Sequence, residues 1–260
     1  MLRRFLCLCL LCLCCVAVPV NAAGITNFSK LVTADYWIEN NTDDDTIVLD
    51  AAGISKLNAE VREKTPAVYD LESYPATVKG RNLKAMLTNF EALEEDLYLR
   101  GNKVSDNYKN ILRNLVNPKA ITHDVAVKYA VVVKRANLRN LPTGEALYYF
   151  AADNNFDALQ ETALDPCEPV IVLHTSENEQ FNYVQAANYR GWVSVYDIAY
   201  TDRETWLQFL KPKKFVVVVG KSIKLKTWNE NVEYQLGSRI PISGEDDKSY
   251  VLNVPGRNKG

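Results

Sequence analysis

The spacing of apolar side chains changes part-way along the chain. Before about residue 125 they recur every three or four positions, as on one face of a helix, and after it they form short runs separated by turns. In the first part, Asp50 is placed to cap a helix that carries Ile54, Leu57 and Val61 on one face. The pattern therefore predicts a helical N-terminal region, residues 23–125, followed by β-structure.

Two further helices are predicted in this N-terminal region. Ser105 is placed to cap the last of them, and Asn117-Pro118 to end it. The side chains of that helix predicted to face inward are Tyr108, Ile111, Leu112 and Leu115. The helix before it is indicated by apolar residues at helical spacing, namely Leu83, Met86, Leu87, Phe90 and Leu93.

Short apolar runs with turn residues between them predict a small antiparallel barrel over residues 126–203. Its clearest strand is "WVSVY", Trp192–Tyr196, in which alternate side chains point to opposite faces. Gly191, just before this strand, lets the backbone turn tightly or approach a neighbouring segment closely. The insertion from Gly144 to Asp165 is too long for a simple hairpin, so we expect an ordered functional loop there.

A second β-rich segment, residues 204–260, has turn residues at Gly220, Gly237 and Gly244. Its size is similar to that of the first, which predicts two adjacent barrels. The last residues, "VPGRNKG", look like the middle of a hairpin, so we expect the second barrel to stop before its last strand has paired. The predicted fold class is α+β multidomain, with a helical N-terminal domain followed by two small antiparallel β-barrels.

Residues 1–22 have the order of a signal peptide. Arg3 and Arg4 precede an apolar stretch, Phe5–Val18, that is too short for a comfortable membrane span, and small residues follow up to Ala22. The lipoprotein alternative is disfavoured, because leucines rather than small residues precede the leader cysteines. We therefore predict cleavage after Ala22 and export to the periplasm or the extracellular envelope.

Composition outside this leader narrows the function further. Five of the six cysteines lie in the leader, so only Cys167 remains and no internal disulfide is expected, which favours a bacterial envelope protein. The remaining 28 basic and 32 acidic side chains leave a net charge near −4. With no RNA-binding or helix-turn-helix signature either, nucleic acid is not an expected partner. No later apolar run approaches the length of a membrane span.

Catalysis by this chain alone is not expected. Cys167 stands in the proline-flanked turn "DPCEP", not at a helix N-terminus that would lower its pKa. The histidines are His123 and His174, and His174 lies in an apolar strand, where a core position is favoured over pairing with Cys167. This set is too small for a closed zinc site, and the acidic run Asp43–Asp45 lacks the alternating spacing of a calcium loop. No phosphate loop or dinucleotide fingerprint occurs, so we predict no catalytic residue, no metal and no cofactor.

Three groups of motifs, in order along the chain, carry a family resemblance. "ANLRNLPT", "FDALQETALDPCEPVIVLHTSE" and "YRGWVSVYDIAY" resemble the first bacterial SH3 domain of NlpC-type cell-wall cysteine peptidases. "FVVVVGKSIKL", "LGSRIPI" and "YVLNVPGRNKG" resemble the second SH3 domain of the same proteins. "TIVLDAAGISKLNAEV" and the helices after it are similar to their N-terminal clip domain.

The resemblance implies a function for the longer protein. Members of this family continue into a papain-like catalytic domain that hydrolyses peptidoglycan stem peptides between D-glutamate and a diamino acid. The present chain ends before such a domain, so the resemblance implies a recognition and stabilising portion, with peptidoglycan stem peptides and the catalytic domain as its partners. A free-standing envelope binding module, or an SH3-type adhesin or scaffold without a catalytic partner, remains the alternative.

The resemblance also points to a binding loop. The residues Phe156, Asp157 and Gln160 occupy the place of the RT loop of an SH3 domain, which often lines a ligand groove. Tyr183 and Trp192 are candidates for the aromatic wall of that groove, with a position in the barrel core as an equally favoured alternative.

Two charged residues of this loop region have different expected roles. In resembling proteins the first SH3 domain walls off one end of the substrate cleft, which selects peptides with a free N-terminal alanine. Asp157 is the candidate for accepting hydrogen bonds from that amine, against the alternative of a solvated loop residue. Arg139 is expected to brace the barrel through hydrogen bonds to carbonyl groups rather than to contact substrate.

Overall fold

The computed structural model describes residues 28–41, 45–65, 68–88, 90–227 and 231–257. The predicted leader and most of the acidic run Asp43–Asp45 lie outside the described residues. The chain separates into two compact units, Met1–Lys56 and Leu57–Gly260. The fold is mixed, with helices in the N-terminal region followed by antiparallel sheets, as the sequence predicted. The predicted domain boundaries near residues 125 and 203 stay predictions.

The α-helices of the described residues are α1 (Phe28–Leu31), α2 (Ala34–Glu39), α3 (Ala51–Lys64), α4 (Gly80–Leu87), α5 (Asp106–Leu115) and α6 (Arg203–Leu210). Short 3-10 turns occur at Leu71–Ser73, Glu91–Leu93, Pro118–Ala120 and Val195–Asp197.

Both predicted N-caps are present. The Asp50 carboxylate accepts a hydrogen bond from the Gly53 amide at 2.7 Å at the start of α3. The Ser105 hydroxyl accepts one from the Tyr108 amide at 3.3 Å at the start of α5. Each side chain satisfies an amide that the first helical turn leaves without a partner, which is why these starts can be read from sequence.

The predicted helix faces need two corrections. Ile111 is 47% exposed, whereas its neighbour Leu112 is buried, because the inward face of α5 is centred on Leu112 and successive residues turn by about 100°. The helix predicted to extend through Phe90 and Leu93 ends at Leu87. Phe90 precedes a separate 3-10 turn, Glu91–Leu93, and Leu93 is its last residue. Helical spacing therefore located the buried side chains better than it located the helix end.

The strands are β1 (Thr77–Val78), β2 (Tyr98–Leu99), β3 (Asn102–Lys103), β4 (Val125–Ala126), β5 (Lys128–Val132), β6 (Ala136–Arg139), β7 (Gln160–Leu164), β8 (Pro169–Thr175), β9 (Phe181–Gln185), β10 (Arg190–Ser194), β11 (Ile198–Thr201), β12 (Phe215–Val217), β13 (Ser222–Lys226), β14 (Asn231–Gln235), β15 (Arg239–Glu245) and β16 (Tyr250–Leu252).

Strands β5 to β11 form one seven-stranded antiparallel sheet in the order β11-β5-β8-β9-β10-β6-β7. Alternate side chains of its strands enter two different apolar clusters, as the strand period requires. Val193 packs in a cluster within the sheet, and its neighbour Trp192 packs in a second cluster on the other face. The second cluster also contains Trp206 of α6, whose indole nitrogen donates to the Val170 carbonyl at 3.1 Å.

The C-terminal strands form two smaller sheets, a three-stranded one in the order β12-β15-β16 and the pair β13-β14. Gly237 lies in the turn between β14 and β15 with φ +89°, a conformation that favours glycine. Gly244, predicted in a turn, instead lies inside β15, where the register with β16 shifts. A glycine within a strand commonly marks such an irregularity. Residues 253–257 of the predicted final hairpin form no strand, and residues 258–260 lie outside the described chain.

Candidate functional site

The long loop of the seven-stranded sheet joins β6 to β7 and is shorter than predicted. The expected insertion ran from Gly144 to Asp165, but its last part, Gln160–Leu164, is strand β7 paired with β6. The loop therefore occupies residues 140–159, and we call this segment the β6–β7 loop. Apolar and polar residues alternate too weakly in "QETAL" for the strand to be visible in the sequence alone.

Asp157 belongs to this loop, and its side chain is mostly buried. Its Oδ2 accepts a hydrogen bond from Nη1 of Arg139 at 2.6 Å, and the two side chains are 14% and 4% exposed. Its Oδ1 accepts from the amides of Leu147, at 3.2 Å, and Leu159, at 3.0 Å. The carboxylate thus has three donors from the chain itself, one cationic and two on opposite sides of the loop.

Arg139 braces the same loop from the strand side. Its Nη2 donates to the Glu145 carbonyl at 2.7 Å, which confirms the expected bond to a carbonyl group. A register shift between Leu138 and Arg139 in the pairing of β6 with β7 accompanies the burial of both successive side chains. The unmatched residue is Glu161, so the irregularity lies on β7, opposite the end of β6 that carries Arg139.

The Gly191-Trp192 pair lies against β6 at Leu138 and Arg139. A Cβ added at Gly191 would come within 2.5 Å of Leu138 Cδ2 and 2.6 Å of the Arg139 carbonyl oxygen, so the glycine permits a close approach of β10 to β6. Trp192 is the register partner of Arg139 across these strands. The close approach predicted for Gly191 is therefore present, whereas a tight turn is not, because the glycine lies within β10.

The remaining predicted site residues separate into exposed and buried groups. Phe156 is 78% exposed near the tip of the β6–β7 loop, and Gln160 is exposed at the start of β7. Tyr183 and Trp192 are 7% and 1% exposed, with ring centroids 5.2 Å apart, which favours the core alternative for both. A direct substrate contact for any of the five residues stays a prediction. Sequence reasoning did not single out Phe150, which is 72% exposed near the same loop tip.

A segment of the N-terminal region holds the β6–β7 loop from outside. Tyr98 of β2 exchanges two backbone hydrogen bonds with Tyr148, at 2.8 and 3.0 Å. In the turn after β2, Arg100 donates to both carboxylate oxygens of Glu145 at 3.1 and 3.2 Å. The loop is thus pinned on one side by Arg139 and Asp157 and on the other by the β2–β3 hairpin.

A cleft of about 360 Å³ lies between the N-terminal segment and the loop. It is lined by Phe90, Glu91, Ala92, Glu95, Asn140, Leu141, Tyr149, Ala158 and Glu161. Carboxylates beside aromatic rings make a favourable environment for a cationic group. No sequence signal could have found this cleft, because its two walls are separated by more than forty residues along the chain.

Cys167 and His174 do not have the environment of a nucleophile and its base. Cys167 is buried with φ +76°, its sulfur 3.9 Å from the Tyr234 hydroxyl, and burial raises the pKa of its thiol to about 12. A nucleophilic cysteine requires the opposite, a thiolate at neutral pH. The His174 ring nitrogen Nε2 lies 3.1 Å from the Val116 carbonyl oxygen, and burial lowers the pKa of this imidazole.

The described residues contain neither a cluster of metal-binding side chains nor a membrane-spanning helix. No group of three or more His, Cys, Asp or Glu side chains is arranged to hold a metal ion within the part of the chain that the structure describes. Among the same residues, no helix is long and apolar enough to cross a membrane.

Comparison with known proteins bears on the fold. Residues 148–194 match the family model of an SH3 domain of the SH3b1 type. The structure is similar to that of an NlpC/P60 endopeptidase from Photobacterium damselae subsp. piscicida, with a TM-score of 0.60 and 18% sequence identity over 81% of this chain. That match covers 50% of the endopeptidase, so the chain spans about half of its length. No curated protein matches the sequence.

These matches confirm the resemblance drawn from the motifs. The chain contains a bacterial-type SH3 domain, and its fold corresponds to the fold of part of an NlpC/P60 endopeptidase. The matched SH3 residues run from the middle of the β6–β7 loop to the end of β10. They include Asp157, Gly191 and Trp192.

Proposed function

We propose that this chain is the non-catalytic recognition and stabilising portion of a peptidoglycan stem-peptide hydrolase. The observation that carries the proposal is an SH3b1-type domain set in a chain with the fold of part of an NlpC/P60 endopeptidase. The activity of the whole hydrolase would be that of a γ-D-glutamyl-L-diamino acid endopeptidase, supplied by a catalytic domain outside this chain. The desolvated thiol of Cys167 supports the view that this portion binds and does not cleave.

The ligand would be a peptidoglycan stem peptide, and the protein would act in the bacterial envelope after export. The Arg-Arg and apolar order of residues 1–22 supports export.

The surface proposed for the ligand is built on the β6–β7 loop. Phe156 and Gln160 present exposed side chains there, and Asp157 lies directly beneath them. Tyr183 and Trp192 would support this surface from the core behind it. The adjoining acidic and aromatic cleft suits the N-terminal amine of a stem peptide.

Binding to isolated peptidoglycan tests the proposal. The purified protein should co-sediment with intact sacculi, and a synthetic L-Ala-γ-D-Glu-diaminopimelate tripeptide should compete for it and remain uncleaved. Phe156→Ala should weaken binding, whereas Tyr250→Ala serves as a matched control, because Tyr250 is also an exposed aromatic, at 60%, but lies in β16. Absence of co-sedimentation, or hydrolysis that Cys167→Ala abolishes, would contradict the proposal.

One observation favours a second candidate, a free-standing SH3-type module or scaffold that binds another protein. Apolar side chains of the C-terminal β-rich segment are well exposed, among them Val219 at 87% and Leu236 at 65%. Exposed apolar clusters commonly mark protein-protein contacts. In that case sacculi would not retain the protein, and Leu236→Lys would abolish binding to the protein partner without affecting the β6–β7 loop.

A further inference from the structure

The buried pair Arg139–Asp157 calls for an explanation other than stability. Both side chains are almost inaccessible, at 4% and 14% exposure. Transferring two charges out of water is costly, and buried ion pairs are often no more stable than apolar replacements of similar size. In some proteins such pairs instead specify one conformation among several of similar free energy. The hydrogen bonds around this pair indicate that it constrains the conformation of the β6–β7 loop.

The constraint acts on both ends of the β6–β7 loop at once. Oδ1 of Asp157 holds the amides of Leu147 and Leu159, one on each side of the loop tip. Nη2 of Arg139 donates a hydrogen bond to the Glu145 carbonyl, on the N-terminal side of the loop tip. The Ala158 amide donates to the Leu147 carbonyl at 2.7 Å, which closes the base of the loop between these anchors. The residues between the anchors form the exposed tip.

Arg139 is itself held in place by the sheet. Its backbone lies in β6, which pairs with β10 on one side and β7 on the other, and β10 packs closely against it at Gly191. A guanidinium with two fixed bonds, to a carboxylate and to a carbonyl, has a defined direction that the point charge of a lysine lacks. The rigid sheet is thereby coupled to the shape of the loop through one side chain.

We propose that Arg139 and Asp157 are positioning residues that set the shape of the β6–β7 loop and so its affinity for a stem peptide. Asp157 acts through Arg139 and the two loop amides, and does not contact the ligand amine. This inference rests on the proposed function, since it names how the same surface is prepared for its ligand. It replaces the direct amine contact expected from the sequence with an indirect role.

Hydrogen exchange of the loop tests the positioning role without any ligand. In Asp157→Asn and Arg139→Met, amides of the peptide 145–159 should exchange about tenfold faster or more, because charge-assisted bonds at both ends of the loop are lost. Arg135→Gln is the matched control, since it breaks an ion pair with Asp165 at the opposite end of strands β6 and β7 from the loop. Unchanged exchange in the peptide 145–159 would overturn the proposal.

A milder variant keeps this test valid if the others unfold. Arg139→Lys retains the charge but cannot bond both Asp157 and the Glu145 carbonyl with the same geometry. In this variant we expect the loop peptide to exchange at a rate between those of wild type and Arg139→Met. The exchange rates of β8 and β9 should be unchanged. Equal acceleration in the loop and in those central strands would mean that the pair only stabilises the sheet, and would overturn the proposal.

Affinity measurements separate positioning from direct contact. Calorimetric titration would use the free tripeptide L-Ala-γ-D-Glu-diaminopimelate and its N-acetylated form. Asp157→Asn should lower the affinity for both by the same factor, about tenfold. A loss confined to the free amine would establish direct contact and overturn the proposal.

A double-mutant cycle with the loop tip completes the test. If the pair acts by presenting Phe156, the effect of Phe156→Ala should largely disappear in the Asp157→Asn background. Additive effects of the two substitutions would overturn this link. If wild type binds neither peptide, the proposed function fails and with it the ligand named here, whereas the exchange measurement still decides whether the pair sets the loop.

Discussion

The seven-stranded sheet and the C-terminal β-rich segment have similar sequence patterns but reach different degrees of burial. Strands β5 to β11 pair in one continuous sheet, and both faces carry buried apolar side chains. Strands β12 to β16 divide into sheets of three and two strands. In that segment many large apolar side chains are exposed, namely Phe215, Val217, Val219, Ile223, Leu236, Tyr250 and Val251.

The difference shows that alternating apolar and polar residues are not enough to bury the apolar face of a strand. The strand must also belong to a continuous sheet whose faces are covered. In the first region each strand has hydrogen-bonded neighbours and a layer of side chains on each face. The second region is instead attached through a few buried groups. Tyr234 approaches Cys167, and the Ser238 hydroxyl donates to Asp165 at 2.8 Å. Burial in the C-terminal region is concentrated at this contact, where Tyr234 is fully buried.

The largest effect should be seen in the reactivity of Cys167, which lies where the two regions meet. Burial raises its thiol pKa from 9.0 to about 12, which lowers the thiolate fraction at pH 8 roughly a thousandfold. Alkylation of the native protein, followed by peptide mapping, should therefore be much slower than in urea. Labelling at the unfolded rate would mean that the C-terminal segment separates readily from the seven-stranded sheet.

Substitution of Trp192 should distinguish the two regions by stability. Trp192→Ala removes a fully buried indole and should lower the free energy of unfolding by about 3–5 kcal/mol. Tyr250→Ala, the matched change in the C-terminal segment, should cost less than about 0.5 kcal/mol, because Tyr250 is mostly exposed. Urea unfolding followed by circular dichroism measures both, and equal losses would contradict the contrast between the regions.

A pair of glycine substitutions should give effects of opposite sign. Gly191→Ala places a methyl group against Leu138 and the Arg139 backbone, and should destabilise by about 1–3 kcal/mol. At Gly220 an added Cβ meets nothing within 4 Å, so Gly220→Ala should be neutral or stabilise by up to about 1 kcal/mol. Urea unfolding followed by circular dichroism measures the change in stability for both variants. A harmless Gly191→Ala would show that β6 and β10 can separate freely.

Loss of one hydrogen bond should weaken the contact between the regions. Ser238→Ala removes the donor to Asp165 and should cost about 1–2 kcal/mol. The loss should appear as faster hydrogen exchange in β14 and β15, with exchange in the seven-stranded sheet unchanged. Ser243→Ala is the control, because the exposed Ser243 hydroxyl bonds only within the C-terminal segment, to the Val251 carbonyl. Equal effects of the two substitutions on β14 and β15 would contradict the assigned contact.

The smallest expected effect is a loss of stability at low pH, which should arise from His174 in the seven-stranded sheet. Burial lowers the pKa of His174 below its ordinary 6.5, so the unfolded state binds a proton more readily than the folded state. The corresponding stability is complete above pH 6.5 and is lost as the pH falls below that value towards the folded-state pKa. Between pH 7.5 and 5.5 wild type should lose more stability than His174→Gln.

The comparison with His174→Gln isolates this histidine from its neighbours. Lys128, Glu177 and Glu179 line a cleft together with His174, and burial raises the pKa of Glu168. All of these groups are present in both proteins, so their contributions cancel in the difference. Identical pH dependence in wild type and variant would contradict the role of His174.

Local interactions explain which parts of the fold the sequence predicted. Asp50 and Ser105 cap helices through amides only three residues away, so their role depends on little beyond the adjacent chain. The alternation at Trp192 and Val193 follows from the strand period, and it predicts opposite faces without any knowledge of the partner strands. The resemblance added the SH3 domain, which the comparison confirms.

Long-range contacts explain what the sequence could not predict. The end of α4 at Leu87, the exposure of Ile111 and strand β7 within the expected insertion depend on neighbours distant along the chain. Gly191 was recognised as a point of close approach, but only the structure identifies Leu138 and Arg139 as the groups approached.

The sequence by itself determined the succession of helical and β regions, the capped helix starts, the strand faces and the likeness to NlpC-type peptidases. The tertiary structure decided the environment of each charged or reactive group. Asp157 and Arg139 are eighteen residues apart and pair only because the closing of the β6–β7 loop brings them together. Cys167 is buried where Tyr234, sixty-seven residues further along, contacts it, and burial raises the pKa of its thiol. Burial and charge pairing depend on which distant segments meet, whereas caps and strand periods depend on adjacent residues.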